Sequence, residues 1–237
     1  MLNLIIAETA LEHVPNNIQS HQSVVKHAAR VGKKPGSTLL DRTHHHAAMI
    51  KLYRHEKRGR PDIAHRALLS ALGTPLNREK LLRVFVHTQE ENVIYVNPLT
   101  RLPRSYSRFV GLIEQLLTEK EIPREEPLLL RVEKKDLKTL IKEVKAKYVV
   151  ALTRVGEPKT VEEIAKSLAK HEDAVVIVGG FPQGHFSQRT AKTVTDFFSI
   201  DRETLDTSVV ISRIIYEYER VLGLPKKRLR GKKIFSP

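Results

Sequence analysis

Short apolar runs alternate with amphipathic helical runs over the second half of this chain, and that pattern predicts an α/β fold around a mostly parallel sheet. Two further observations agree. The 237 residues are enough for one large α/β domain. Hydrophobic residues make up 41% of them, which is enough for a substantial core.

The elements read as follows. Leu2 to Ala7 is an unbroken apolar run and predicts a buried strand. His21 to Arg60 is basic and rich in histidine. It predicts two helices separated by the turn Lys33-Lys34-Pro35-Gly36. Pro61 suits the first turn of a helix that runs to about Leu72 and stops at Gly73. Leu81 to Val86 and Val93 to Val96 flank Gln89-Glu90-Glu91-Asn92 and predict a hairpin. Pro103 suits another helix start, with Phe109, Leu112, Ile113, Leu116 and Leu117 as its apolar stripe. Glu121 to Pro127 is a connector. Strands are then predicted at Leu128 to Val132, Tyr148 to Leu152, Ala174 to Val178 and Thr195 to Ile200. Between them lie helices at Asp136 to Val144 and Val161 to Ala169, and a short one after Gly184. Thr160 and Glu163 have capping-box spacing. A last helix starts near Thr207 and lines up Val210, Ile214, Tyr218 and Val221. The run Lys226 to Lys233 reads as a solvated basic tail.

Charge bounds the partners. A formal net charge of +14 points to a polyanion, either nucleic acid or an anionic membrane surface. No apolar run approaches the ~18 residues of a membrane span, and the N-terminus lacks the basic region of a signal peptide. A cytoplasmic location is expected. Cysteine is absent, which excludes disulfides, thiolate catalysis and Cys-ligated zinc. His44-His45-His46 cannot converge three ligands from one helix face, and no HExxH spacing occurs, so no metal is expected.

Four segments carry candidate chemistry. Gly179-Gly180-Phe181-Pro182-Gln183-Gly184-His185-Phe186 follows a buried strand, where open α/β sheets place ligands. It fits neither GxGxxG nor a P-loop, so a phosphate cradle is disfavoured. It holds either a nucleoside-like ligand or a tight strand-to-helix turn, with His185 shaping the loop. Ser199 to Thr207 also lies past a strand end. It either reads an adenine edge with backbone groups or is an ordinary connection capped by Asp206 or Thr207. Arg101, Arg104 and Arg108 share one stripe if the segment is helical. They form phosphate forks with Tyr106 as a base-stacking ring, or a solvated face. In Arg58-Gly59-Arg60-Pro61-Asp62, Asp62 can pair with Arg60 or favour the helix N-terminus.

Taken together, these segments resemble the archaeal and eukaryotic ribosome-biogenesis methyltransferases of the SPOUT class, which modify N1 of pseudouridine in small-subunit rRNA. The resemblance runs nearly end to end. Arg58-Gly59-Arg60-Pro61-Asp62, Asn97 to Phe109 and the Gly179 to Gly184 loop carry most of it. It implies a single SPOUT domain over residues 1–225. A basic RNA-binding extension would cover about 21–127 and a C-terminal trefoil knot about 128–225, with a basic tail over 226–237. It implies S-adenosylmethionine held by Thr153, Gly179, Gly180, Gly184, Ile200, Asp201, Arg202, Glu203, Thr204 and Leu205. It implies RNA contacts by Arg60, Arg101, Arg104 and Arg108, catalysis by Arg60 with Asp62, and a homodimer. Nothing in the resemblance reaches the basic tail.

The chemistry is consistent with those residues. The N1 proton of pseudouridine must leave before N1 can accept a methyl group, and a cationic arginine stabilises the anion. Asp62 or water is the base. Two competing readings are a non-catalytic rRNA-binding assembly factor and a SPOUT enzyme acting on another RNA. A DNA-binding role has less support, because no helix-turn-helix or zinc signature is present.

Overall fold

In the computed structural model, which describes residues 1–230, the chain forms one sheet with helices on both faces. The strands are β1 (Leu2–Thr9), β2 (Leu82–Thr88), β3 (Asn92–Val96), β4 (Glu121–Ile122), β5 (Leu130–Lys134), β6 (Val149–Pro158), β7 (Val175–Gly179) and β8 (Asp196–Ser199). The helices are α1 (Gln22–Arg30), α2 (Arg42–Met49), α3 (Pro61–Leu72), α4 (Pro75–Arg78), α5 (Tyr106–Glu119), α6 (Leu137–Glu143), α7 (Val161–Ala169), α8 (Gln188–Ala191), α9 (Thr207–Val221) and α10 (Leu224–Arg230). The strand order is β4-β5-β3-β2-β1-β7-β6-β8. The run from β2 through β8 is parallel, whereas β3, β4 and β5 pair antiparallel.

β1 is buried along its whole length because both sheet faces are covered. Leu2, Leu4 and Ile6 point into one core with Leu68 of α3, Leu168 of α7 and Ile214 of α9. Ile5 and Ala7 point the other way, onto Leu137 and Leu140 of α6. The capping box at the start of α7 is present, with Thr160 and Glu163 each serving the other's backbone N–H. A separate small core of Val14, Ile18, Val24, Leu40, Ala48, Met49 and Leu52 holds α1 and α2. The hairpin β2–β3 and helices α3 and α5 belong to the main sheet and its cores.

Three expectations need correction. The strand near Leu128 is β5. It runs in the direction of β1, but its neighbour is the reversed strand β3, so the pairing is antiparallel. The helix expected at Pro103 begins at Tyr106, after the N-cap residue Ser105. Tertiary contact decides this, because the Pro103 carbonyl accepts a 2.8 Å hydrogen bond from the His65 ring on α3. Arg101 and Arg104 therefore lie in non-helical chain, and the predicted helical stripe with Arg108 does not form. The basic tail is not wholly irregular either. Its first part is α10, anchored by buried Leu224, while Gly231, Lys232 and Lys233 lie outside the described residues.

β6 runs on past its expected end at Leu152. Leu152 and Glu157 both register with Phe198, so Thr153 to Gly156 form an outward bulge between them. Gly156 lies directly against β8. A Cβ there would sit 2.6 Å from the Phe198 carbonyl carbon and 2.7 Å from that of Phe197. Backbone atoms cannot yield as a side chain can, so Gly156→Ala is expected to cost at least about 1–3 kcal/mol. The denaturation midpoint checks this.

Candidate functional site

The bulge in β6, the end of β7 and the end of β8 lie side by side on one rim of the sheet. This is where parallel sheets open a ligand crevice. A cleft of about 340 Å³ lies there. Of the expected cofactor residues, Thr153, Gly179, Gly184, Ile200, Asp201, Glu203, Thr204 and Leu205 line it, and Gly180 and Arg202 do not. Gly180 is buried against β1. A Cβ there would meet Thr9 Oγ1 at 2.3 Å, and its N–H donates to the Ala7 carbonyl at 2.8 Å. That glycine serves the packing of the loop onto β1. The Thr207 hydroxyl donates to the Gly179 carbonyl at 2.8 Å, tying the start of α9 to the end of β7.

The walls of the cleft are mixed, with apolar side chains set among polar and charged ones. Leu152, Val178, Phe181 and Val210 face it, while Asp201 and Glu203 stand at its mouth. No lysine lines it. Such a site suits a flat aromatic group with hydroxyls and a cationic centre.

A second cavity of about 140 Å³ adjoins the first and shares Phe181, Pro182, Thr204, Leu205 and Thr207 with it. Arg60, Ile63 and Arg66 form its other wall. Arg60 precedes α3 and donates through Nε and Nη2 to the two Asp62 oxygens, at 2.7 and 2.8 Å. Arg66 adds a third bond to Asp62 at 3.1 Å. Burial alone would raise the Asp62 carboxyl, but the hydrogen bond and charge of Arg60 and the charge of Arg66 hold it below its usual range. The Arg60 guanidinium is correspondingly pushed up, first by its bond to Asp62. The pair holds the Arg60 guanidinium in a fixed place, and its carboxylate is already occupied.

Arg101, Arg104 and Arg108 are all exposed. The segment carrying the first two lies against α3 through the Pro103 contact to His65, and against α4 through the bond from Asn77 Nδ2 to the Pro98 carbonyl at 3.0 Å. Tyr106 is not free to stack on a base. It is half-buried, its hydroxyl donates to Asp41, and burial together with that carboxylate drives its pKa far above the usual phenol range. His45 is buried and bonded to His27 at 2.9 Å. Burial and the neighbouring His27 and His44 push its pKa down to about 4, so it is neutral packing. Among the described residues, no group of three or more His, Cys, Asp or Glu is arranged to hold a metal ion.

Comparison with known proteins gives this geometry its context. The sequence model of the EMG1/NEP1 methyltransferase family matches residues 4–219. The chain belongs to that family. A relative named ribosomal RNA small subunit methyltransferase Nep1, from Thermococcus kodakarensis, is 44% identical over 94% of this chain and all of its own length. One of the same name from Pyrococcus furiosus is 45% identical over 92% of this chain and 96% of its own. The crystal structure of Archaeoglobus fulgidus Nep1 bound to S-adenosylhomocysteine superposes with a TM-score of 0.83. It is 36% identical, covering 93% of this chain and 98% of that one.

Within this EMG1/NEP1 family member, the sequence alone missed one feature of the cleft. Lys57 is buried beneath the glycine loop. Its ammonium lies 2.9 Å from Glu8 Oε2, donates to the His185 carbonyl, and stands 4.1 Å from the centre of the Phe181 ring. Glu8 also accepts from the Ser187 N–H at 2.7 Å. The loop that forms one wall of the cleft is thus tied to β1 and to the segment leading into Arg60. Only an unexplained lysine beside the Arg58-Gly59-Arg60 motif and a glutamate at the end of a buried strand hinted at this.

Proposed function

We propose that this chain transfers a methyl group from S-adenosylmethionine to N1 of a pseudouridine in small-subunit rRNA. The observation that carries the proposal is the shared wall between the two cavities. A donor in the larger cleft and a base in the smaller one would meet across Phe181, Thr204 and Leu205, with Arg60 on the far side of the base. Family membership, the names of the relatives and the S-adenosylhomocysteine bound to the Archaeoglobus protein all support it.

The residues present suit this cofactor. Loops Gly179–Gly184 and Ile200–Leu205 with Thr153 would hold it, Leu152, Val178 and Val210 offering apolar surface and Asp201 and Glu203 offering acceptors. When bound, S-adenosylmethionine supplies an electrophilic methyl group on a sulfonium. The chain's own residues prepare the acceptor. Arg60 places a cation at the base and stabilises the negative charge left when N1 loses its proton. Asp62 orients Arg60. Asp62 is a poor base, because its lone pairs are spent on two arginines and its pKa is depressed, so water takes the proton. Fixed geometry contributes most of the remaining rate, with the target base turned out of its stack into the cavity.

Three wider features follow from the same reading. Residues 1–225 act as one SPOUT domain, with the RNA surface spread over about 21–127 and the cofactor half over about 128–225. A trefoil knot in that half is supported by membership of the family alone. A homodimer is supported by exposed Val209 and Tyr216, which lie seven positions apart on one face of α9. No described helix is long and apolar enough to cross a membrane. The cytoplasm, where ribosomal subunits assemble, is the compartment this reading implies.

The deciding experiment is radiolabelled methyl transfer to matched rRNA hairpins carrying uridine or pseudouridine. Labelling of the pseudouridine hairpin alone is expected. Labelling of both would move the target off N1, and labelling of neither, with cofactor bound, would leave an assembly factor. Arg104→Ala is expected to weaken hairpin binding and to make the salt slope shallower by about 1.

A further inference from the structure

We infer that α10 is a second rRNA-contacting surface, gripping the helix that flanks the target nucleotide. The inference rests on the rRNA reading above. α10 starts beyond residue 219, where the family model ends. Leu224–Arg230 carries Lys226, Lys227, Arg228 and Arg230 and no acid.

The helix is placed rather than trailing. Leu224 is buried in the main core, and Arg228 pairs with Glu79 just after α4. α4 is the junction between two surfaces. On one side, Glu219 of α9 accepts from the Leu76 N–H at 2.7 Å. On the other, Asn77 holds the Pro98 carbonyl at 3.0 Å, at the start of the segment that carries Arg101 and Arg104. That segment runs back along α3, meeting His65 at Pro103.

The consequence is a path marked by solvent-accessible cations. It starts at Arg60 at the head of α3 and passes Arg104 and Arg101. At the far end of α3 it reaches exposed Arg78 and Lys80, then Lys226, Lys227 and Arg230 on α10. The twelve residues of α3 give the path a length of about 18 Å before α10 is added. The acids of α9 and the one just after α4 are already engaged. Glu79 pairs with Arg228, Glu219 is buried on Leu76, and Glu217 pairs with Arg220. A row of cations leading away from a base-binding cavity matches the regular phosphates of a helical stem. It reads shape rather than sequence.

The test compares the full chain with a Lys226→Gln, Lys227→Gln, Arg230→Gln triple variant. Arg228 is kept because it holds Glu79. Fluorescence anisotropy would follow binding to the same target loop on a short stem and on a stem one full turn longer, across a salt titration. The triple variant is expected to lose about tenfold affinity for the long stem, with a salt slope shallower by up to about 2.7. On the short stem it should match the parent chain. S-adenosylhomocysteine affinity and methyl transfer at saturating RNA should not change, so a failure of the catalytic reading would show separately in the parent chain. A Lys226→Arg, Lys227→Arg variant should retain long-stem binding, which controls for damage to the helix. Equal binding by parent and variant on both stems overturns the inference. So does an equal loss on both, since that would place α10 at the loop rather than along the stem.

Discussion

Arg60→Ala is expected to slow methyl transfer by about 10²–10³-fold, the loss typical of removing one group that stabilises developing charge. The effect should fall on the chemical step. Arg60 lines the acceptor cavity and not the donor cleft, so cofactor affinity should hold. Its side chain is over a third exposed and its main bond is to Asp62, so the fold should hold too. Arg60→Lys keeps a cation but loses the two-pronged fit to Asp62, and its activity should be intermediate. Asp62→Asn keeps Arg60 charged but frees it to move, lowering the rate through misplacement. Single-turnover rates at saturating RNA, read beside S-adenosylhomocysteine affinity, separate these outcomes. Full activity in Arg60→Ala would remove the arginine from the mechanism.

Lys57→Met is expected to be the most destabilising of these substitutions. Both partners of the Lys57–Glu8 pair are nearly buried, with side-chain exposures of 9% and 7%. Breaking such a pair from one side typically costs about 3–5 kcal/mol, because the other charge stays buried alone. The donor cleft should loosen as well, since Lys57 holds the His185 carbonyl and faces Phe181. S-adenosylhomocysteine binding should therefore weaken beyond what the stability loss explains.

The pH dependence has a definite sign. Burial on its own raises the Glu8 carboxyl, but the bonds from Lys57 and Ser187 outweigh it and hold the pKa below its ordinary value. In the parent chain Glu8 contributes stability above the usual carboxylate range, and that stability is lost as pH falls. Without Lys57, burial dominates and the pKa rises. The variant's deficit against the parent should then be largest at neutral pH and shrink on acidification. Lys57→Met with Glu8→Gln should recover much of the stability but not the cofactor affinity. Denaturation midpoints across pH, paired with calorimetry, check both.

Elements whose signal is local were legible in the amino-acid order. α3 runs from Pro61 to Leu72 and α7 from Val161 to Ala169, as expected, because a proline start, a glycine stop and a capping box act within a few residues. The glycine loop and the Ser199 to Thr207 segment were legible as candidate ligand loops, because each follows a buried strand. Pairing of Arg60 with Asp62 was one of two roles the sequence left open to Asp62, and the structure forms that pair. Non-local outcomes were not legible. The start of α5 moved because His65 holds Pro103, and Tyr106 was withdrawn from base stacking by Asp41, sixty-five residues away.

By itself, then, the sequence determined the α/β class, most helices and strands, the basic character of the chain and the motifs of the family. Tertiary structure alone decided that the larger cleft and the Arg60 cavity share a wall, that Gly180 packs on Thr9, and that Lys57 braces the glycine loop. The physical reason is range. Capping, turn chemistry and periodicity are settled between near neighbours. Which loop ends face one another depends on strand order, and β7 lies between β1 and β6 with β8 beyond only once the whole core has closed.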